Sequence, residues 1–177
     1  APGRPPAASG ADGEAVRLGQ AVHRVLEWAT TCAPDEWPQL AEAAAAEFGA
    51  SATGVAQRAE AILRSRACER FFRGPALRWA GNEVPIGDAS DVLRIDRLVK
   101  LQAEGSPAEW WVLDYKLHHA PQELAAYRDQ LRRYRDAVAR AQSGERVRAA
   151  FITGTGAVVE IDAPLDPAER QLPLFGG

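Results

Sequence analysis

Asp96, Asp114 and Lys116 are the residues best placed to do chemistry. Asp114 and Lys116 belong to Trp110-Trp111-Val112-Leu113-Asp114-Tyr115-Lys116, a run of strict alternation. As a strand it turns Trp111, Leu113, Tyr115 and Leu117 to one face and Trp110, Val112, Asp114 and Lys116 to the other. An acid and a lysine on an otherwise apolar face are costly unless paired or bound to something. A second strand, Val92 to Leu101, precedes it across a loop, Gln102 to Ala108, with Gly105 and Ser106-Pro107 as turn residues. A hairpin centred near Gly105 sets Asp96 opposite Asp114 on one face, with Cβ atoms about 5 Å apart. Two carboxylates so placed repel by about 3 kcal/mol at an effective dielectric of about 20. A purely structural hairpin gains nothing from this, whereas a divalent cation between the two turns repulsion into coordination.

The lysine adds to the pattern. The chain has 21 basic residues, of which only Lys100 and Lys116 are lysines. A compact ammonium can neutralise a developing oxyanion or position a water, which a planar guanidinium does less well. The competing reading is a Lys116–Asp114 ion pair on a solvated strand face.

Composition narrows the classes. At 177 residues, with 46% hydrophobic and 25% charged residues, the chain is expected to be one globular domain, with a tail. A net charge of −3 announces no global nucleic-acid binder, so such a role needs a local basic patch or a metal. Two cysteines, Cys32 and Cys68, are too few for a zinc site by themselves or for a cysteine-ligated iron–sulfur cluster. We expect no signal peptide, and the sequence holds no apolar run of transmembrane length. The absence of any methionine leads us to expect a segment of a longer polypeptide or a processed one.

The elements that must position these residues follow from periodicity. Residues 1–13 are Pro/Gly/Ala-rich and read as a linker; 14–162 read as the domain and 163–177 as a Pro-rich tail. Glu14 to Thr31 reads as a helix with Leu18, Val22, Val25, Leu26 and Ala29 as its apolar stripe. His23 sits at the edge of that stripe, where a lone histidine is commonly a packed or capping residue. Asp35 to Phe48 and Ser51 to Phe72 read as two more helices, Gly49 ending the first and Ser51 capping the second. Ala76 to Ile86 reads as a strand ahead of the hairpin. Pro121 to Gln142 reads as a long helix with Leu124, Tyr127, Leu131, Tyr134 and Val138 as its stripe. Gln130 and Tyr134 are neighbours on it, and Arg128, Arg132 and Arg135 form a basic face that is either solvated or set against backbone phosphates. Val147 to Thr153 and Ala157 to Ile161 read as two last strands. A helix between the third and fourth strands permits a crossover, so the expected fold is α/β: a mixed five-stranded sheet flanked by helices, with an N-terminal helical part.

Taken in order, Gly19-x-x-x-His23, Glu83-x-Pro85, Ile95-Asp96-Arg97-Leu98-Val99, Leu113-Asp114-Tyr115-Lys116 and Gln130-x-x-x-Tyr134 resemble the motifs of the RecB-like nuclease domain. That domain belongs to the PD-(D/E)XK superfamily and is found at the C-terminus of bacterial helicase–nucleases of the UvrD/Rep, AddA and RecB type. The resemblance runs from about Leu18 to Ile161 and implies a restriction-endonuclease-like fold and a Mg²⁺- or Mn²⁺-dependent deoxyribonuclease. It makes His23, Asp96, Asp114 and the Tyr115 backbone carbonyl metal ligands, and Lys116, with Asp114 and Asp96, catalytic. It sets Gln130 and Tyr134 beside the DNA backbone, a role that the basic face extends to Arg132 and Arg135. Glu83 becomes an accessory group that holds a metal or a basic residue. The implied partners are DNA, single-stranded or at unwound ends, and an upstream helicase motor in the same polypeptide, in a bacterial cytoplasm at the nucleoid. The motor is no part of this chain, so ATP is not its cofactor. Two positions depart from the family pattern: Leu117 replaces a small or hydroxyl residue after the lysine, and Leu93 replaces a glycine. The alternative is a non-catalytic module that uses the same fold to bind DNA or brace a helicase.

The tail carries Gln171-Leu172-Pro173-Leu174-Phe175, which resembles the peptide by which bacterial repair proteins dock on the sliding clamp. Leu174 and Phe175 would be apolar anchors, with Gln171 making polar contacts and Leu172 completing the motif. Such a tail can equally fold back over its own domain.

Overall fold

A computed structural model of the chain describes residues 10–87, 92–117 and 120–163. The clamp-like segment with Gln171, Leu172, Leu174 and Phe175 lies outside them, as do His118, His119 and residues 1–9.

Five strands form a single sheet in the order β1-β2-β3-β4-β5: β1 Leu77–Gly87, β2 Val92–Leu101, β3 Glu109–Lys116, β4 Arg146–Thr153 and β5 Val158–Ile161. The pairs β1/β2, β2/β3 and β4/β5 are antiparallel, and β3/β4 is parallel. The parallel pair requires a crossover, which the helix α5, Ala125–Ala141, supplies. The register of the central hairpin is the one expected from a turn at Gly105. Arg97 pairs with Leu113 and Leu101 with Glu109, and Gly105 has φ 73°, the left-handed conformation that glycine adopts without steric cost.

Alternation in β3 divides the core. Trp111, Leu113 and Tyr115 face α1 (Gly10–Trp28), α2 (Trp37–Phe48), α3 (Ala52–Leu63) and the short α4 (Glu69–Phe72). Trp110 and Val112 face the other way and pack with Leu131, Tyr134 and Val138 of α5. The N-terminal helical part therefore covers one face of the sheet and α5 the other.

Several element boundaries differ from the sequence expectation. Helix α1 begins at Gly10, so residues 10–13 belong to it and not to a linker; Asp12 in the first turn favours the positive end of the helix. The helix expected over Ser51 to Phe72 is two. Ser51 does cap α3, accepting from the Gly54 N–H. The chain then turns at Arg64 to Cys68, where Ser65 Oγ donates to the Gly156 carbonyl at 2.6 Å and Cys68 Sγ lies 3.3 Å from it. That long-range anchor displaces the helical bonds a continuous α3–α4 would make. Helix α5 starts at Ala125, after a 3₁₀ turn over Pro121–Glu123. Leu124 is its N-cap and is 45% exposed, so it is no part of the apolar stripe. Finally, β5 starts at Val158, one residue later than expected, after the turn through Gly156.

Candidate active site

The ladder between β2 and β3 ends at the Arg97–Leu113 pair. Beyond it, the side chain of Asp96, the residue next to Arg97, accepts from the Tyr115 N–H, with Oδ2 at 2.9 Å. The carboxylate thus replaces a backbone acceptor and is held where β2 and β3 diverge. Asp114, on the opposite strand, is 3% exposed. Its Oδ1 accepts from Lys116 Nζ at 3.1 Å, while its Oδ2 is buried without a hydrogen-bond partner. An unsatisfied buried carboxylate oxygen is uncommon and needs a proton or a cation to balance it. Burial, and then the facing Asp96 carboxylate, push Asp114 up to about 7 against the pull of Lys116. Burial likewise raises Asp96.

His23 reaches this point from α1. Its Nε2 lies 3.3 Å from the Tyr115 carbonyl and its Nδ1 3.7 Å from Asp96 Oδ1, and its ring meets the Tyr115 ring edge-on at 5.2 Å. Burial lowers its pKa, only partly offset by the Tyr115 carbonyl, so the imidazole is neutral at pH 7 and keeps a lone pair for a ligand.

Glu83 comes from β1, between the pairs Asn82–Arg97 and Val84–Ile95, which places it beside Asp96. Its φ of 49° is left-handed, a conformation that costs a non-glycine residue about 1–3 kcal/mol and tends to occur at functional sites. Donor atoms of His23, Glu83 and Asp96 all lie within 4.8 Å of one another. This chemistry, one neutral imidazole and carboxylates with an orphaned carboxylate oxygen beside them, fits a hard or borderline divalent cation.

The geometry redistributes the roles that the resemblance implied. Glu83, named as accessory, stands within the donor cluster. Asp114 stands next to the cluster and is directed in part to Lys116. The Tyr115 carbonyl already faces His23 Nε2. Tyr134 is brought to the acidic pair: burial raises its phenol, and the charges of Asp114 and Asp96 add to the effect. Gln130 is exposed one turn earlier on α5. Arg132 spans Asp162 with two bonds of 2.7 and 3.0 Å and reaches Asp129 at 3.2 Å, while Arg135 meets Asp162 at 3.2 Å and Asp136 at 3.1 Å. The face read as basic is thus laced with carboxylates.

Two features escaped sequence reading. Arg97 is buried, its Nε donating to the Phe71 carbonyl at 2.9 Å and its Nη1 to Asn82 Oδ1 at 2.7 Å. It ties β2 to α4 and to β1. Two clefts share His23 and Gln20 in their walls: one of about 550 Å³ bearing Lys116, and one of about 460 Å³ bearing Glu83 and Arg94. No periodicity or motif signals a cleft made by four separate elements.

Residues 3–171 match the PD-(D/E)XK nuclease superfamily. The chain belongs to that superfamily. The observed sheet with its flanking helices is the fold expected of a PD-(D/E)XK member, and nucleases of the superfamily use divalent metal ions. No curated protein matches the chain.

Proposed function

We propose that this PD-(D/E)XK domain is a metal-dependent deoxyribonuclease in which His23, Glu83, Asp96 and Asp114 would hold the cation and Lys116 serves the reaction. The carrying observation is the convergence of His23, Glu83 and Asp96 donor atoms within 4.8 Å, next to the buried, unpartnered Asp114 Oδ2. A divalent cation bound there supplies charge neutralisation and a water of lowered pKa. The chain's own part is positional and electrostatic. The Tyr115 N–H fixes Asp96, and the Tyr115 carbonyl and ring fix His23. Lys116, held by Asp114 Oδ1, neutralises charge growing on the scissile phosphate as water adds to phosphorus and the bond to the leaving sugar oxygen breaks.

We further infer, from the five motifs in order, that the domain is the C-terminal module of a DNA-repair helicase–nuclease fed with unwound strands by its motor, with the 171–175 tail as a clamp-docking peptide. The distinguishing test of the catalytic assignment is Lys116. Lys116→Ala is expected to lower cleavage of labelled DNA about 10²–10³-fold while Mn²⁺ binding persists, and Lys116→Arg to fail as well, because the planar group cannot occupy the same point. Near-normal cleavage by either variant removes lysine from the mechanism.

A further inference from the structure

We propose that Arg97 and Asn82 are positioning residues: they hold Glu83 in ligating geometry and so set the affinity of the site for its cation, without touching the cation themselves. This inference rests on the metal-dependent reading of the site and adds the groups that keep one ligand in place.

Two of the three clustered donors have a direct support. The Tyr115 N–H holds Asp96, and the Tyr115 carbonyl and ring hold His23. Glu83 is held differently. Its φ of 49° is a conformation that a residue with a Cβ leaves for the extended region unless its neighbours over-determine it. Those neighbours are fixed on both sides. On the C-terminal side, Pro85 confines Val84 to extended backbone. The chain is drawn in so closely here that a Cβ at Gly81 would lie 2.8 Å from Val84 Cγ2. On the N-terminal side, Asn82 is gripped through its side chain. Its Oδ1 accepts from Arg97 Nη1 at 2.7 Å, and its Nδ2 donates to the Glu27 carbonyl at 3.5 Å. That carbonyl lies in the last turn of α1, where helical N–H partners run out.

Arg97 fixes this arrangement from below. It is 1% exposed and pairs with Asn82 across the β1/β2 ladder. Its Nε donates to the Phe71 carbonyl at 2.9 Å, and its guanidinium lies over the Phe72 ring at 4.8 Å. Among the described residues these partners are neutral. Burying a guanidinium among neutral groups is costly, and a position that served packing alone would be filled as well by an apolar side chain. The planar fork does what an apolar side chain cannot: two donors in fixed geometry set Asn82 against α4. The residues that follow Asn82 and precede Arg97 in the chain, Glu83 and Asp96, are both members of the donor cluster.

The test uses the full 177-residue chain. Mn²⁺ binding is read from the loss of the free-ion electron paramagnetic resonance signal, beside urea denaturation of the metal-free protein. Arg97→Met and Asn82→Ala are each expected to weaken Mn²⁺ binding by about tenfold or more in the folded protein, the size typical of an outer partner that orients a metal ligand. Gly105→Ala strains the hairpin turn at the far end of β2 and β3 from the donors. It is expected to lower stability and to bind Mn²⁺ as the wild type does, which separates lost stability from lost affinity. In the Glu83→Gly background no carboxylate is left to position, so Asn82→Ala is expected to cost less than about a further twofold. Wild-type affinity in either folded variant, equal weakening in Gly105→Ala, or the full factor repeated in the Glu83→Gly background overturns the positioning role and leaves the nuclease reading standing. If Arg97→Met does not fold, Asn82→Ala decides alone. No Mn²⁺ binding by the wild type overturns both. The expected pattern of affinities in a chain that cleaves no DNA with Mn²⁺ upholds the positioning role and overturns the nuclease reading instead.

Discussion

Asp114 carries the sharpest residue-scale consequence. Its carboxyl is raised from 3.8 to about 7 by burial and by Asp96. Between those values the folded chain binds more protons than the unfolded one, so metal-free stability falls as pH rises from about 4 to about 7 and levels off above. Denaturation in EDTA across that range is expected to show the slope in the wild type and to lose most of it in Asp114→Asn; an equal slope in both would contradict the buried acidic pair. Glu83 offers a second, independent test. Glu83→Gly removes a carboxylate and relieves the cost of φ 49° together. The metal-free variant is expected to melt no lower than the wild type, yet to lose much of the stabilisation by Mn²⁺, which for the wild type is about 2.7 kcal/mol at a hundredfold excess over Kd. A variant that melts lower without metal and responds fully to Mn²⁺ would return Glu83 to a structural role.

At the scale of elements, the turn between β4 and β5 locks the sheet to α3. Gly156 has φ 79°, and a Cβ there would lie 2.5 Å from the Ala61 carbonyl oxygen and 2.8 Å from Ser65 Cβ. Gly156→Ala is therefore expected to destabilise the fold by about 1–3 kcal/mol in urea denaturation; a change within a few tenths would mean that α3 and the turn separate readily. This contact also explains what the sequence could and could not show. The strands, the hairpin register and the two-faced β3 were legible, because alternation and Gly105 specify them locally. The break between α3 and α4 was not, because it depends on a carbonyl 88 residues away in the chain. In the site, Asp96, Asp114, Lys116 and His23 were legible as motif residues. The position of Glu83 within the donor cluster depended on β1 register and a left-handed backbone that no local pattern encodes. The α5 arginines illustrate the same limit: spacing alone shows a basic face, while Asp162 arrives from the end of β5 to pair with it. If that face meets the backbone, Asp162→Ala, which removes the carboxylate that Arg132 and Arg135 share, is expected to steepen the salt dependence of single-strand binding. An unchanged slope would place α5 away from DNA.

At the scale of the whole molecule, the sheet divides two cores and the site lies where its β2 and β3 strands part, roofed by α1 on one side and approached by Tyr134 of α5 on the other. Among the described residues no helix is long and apolar enough to cross a membrane. The net charge of −3 gives little long-range attraction for a polyanion, so in the proposed function local cations and a divalent metal would carry substrate binding. The direct measurement is cleavage of end-labelled single-stranded and duplex DNA by the full chain with Mg²⁺, with Mn²⁺ or with EDTA, with Asp96→Asn run in parallel. Metal-dependent cleavage of the single strand by the wild type, absent in EDTA and in Asp96→Asn, is the predicted result; no cleavage with either metal, or cleavage that survives EDTA or the substitution, would contradict it.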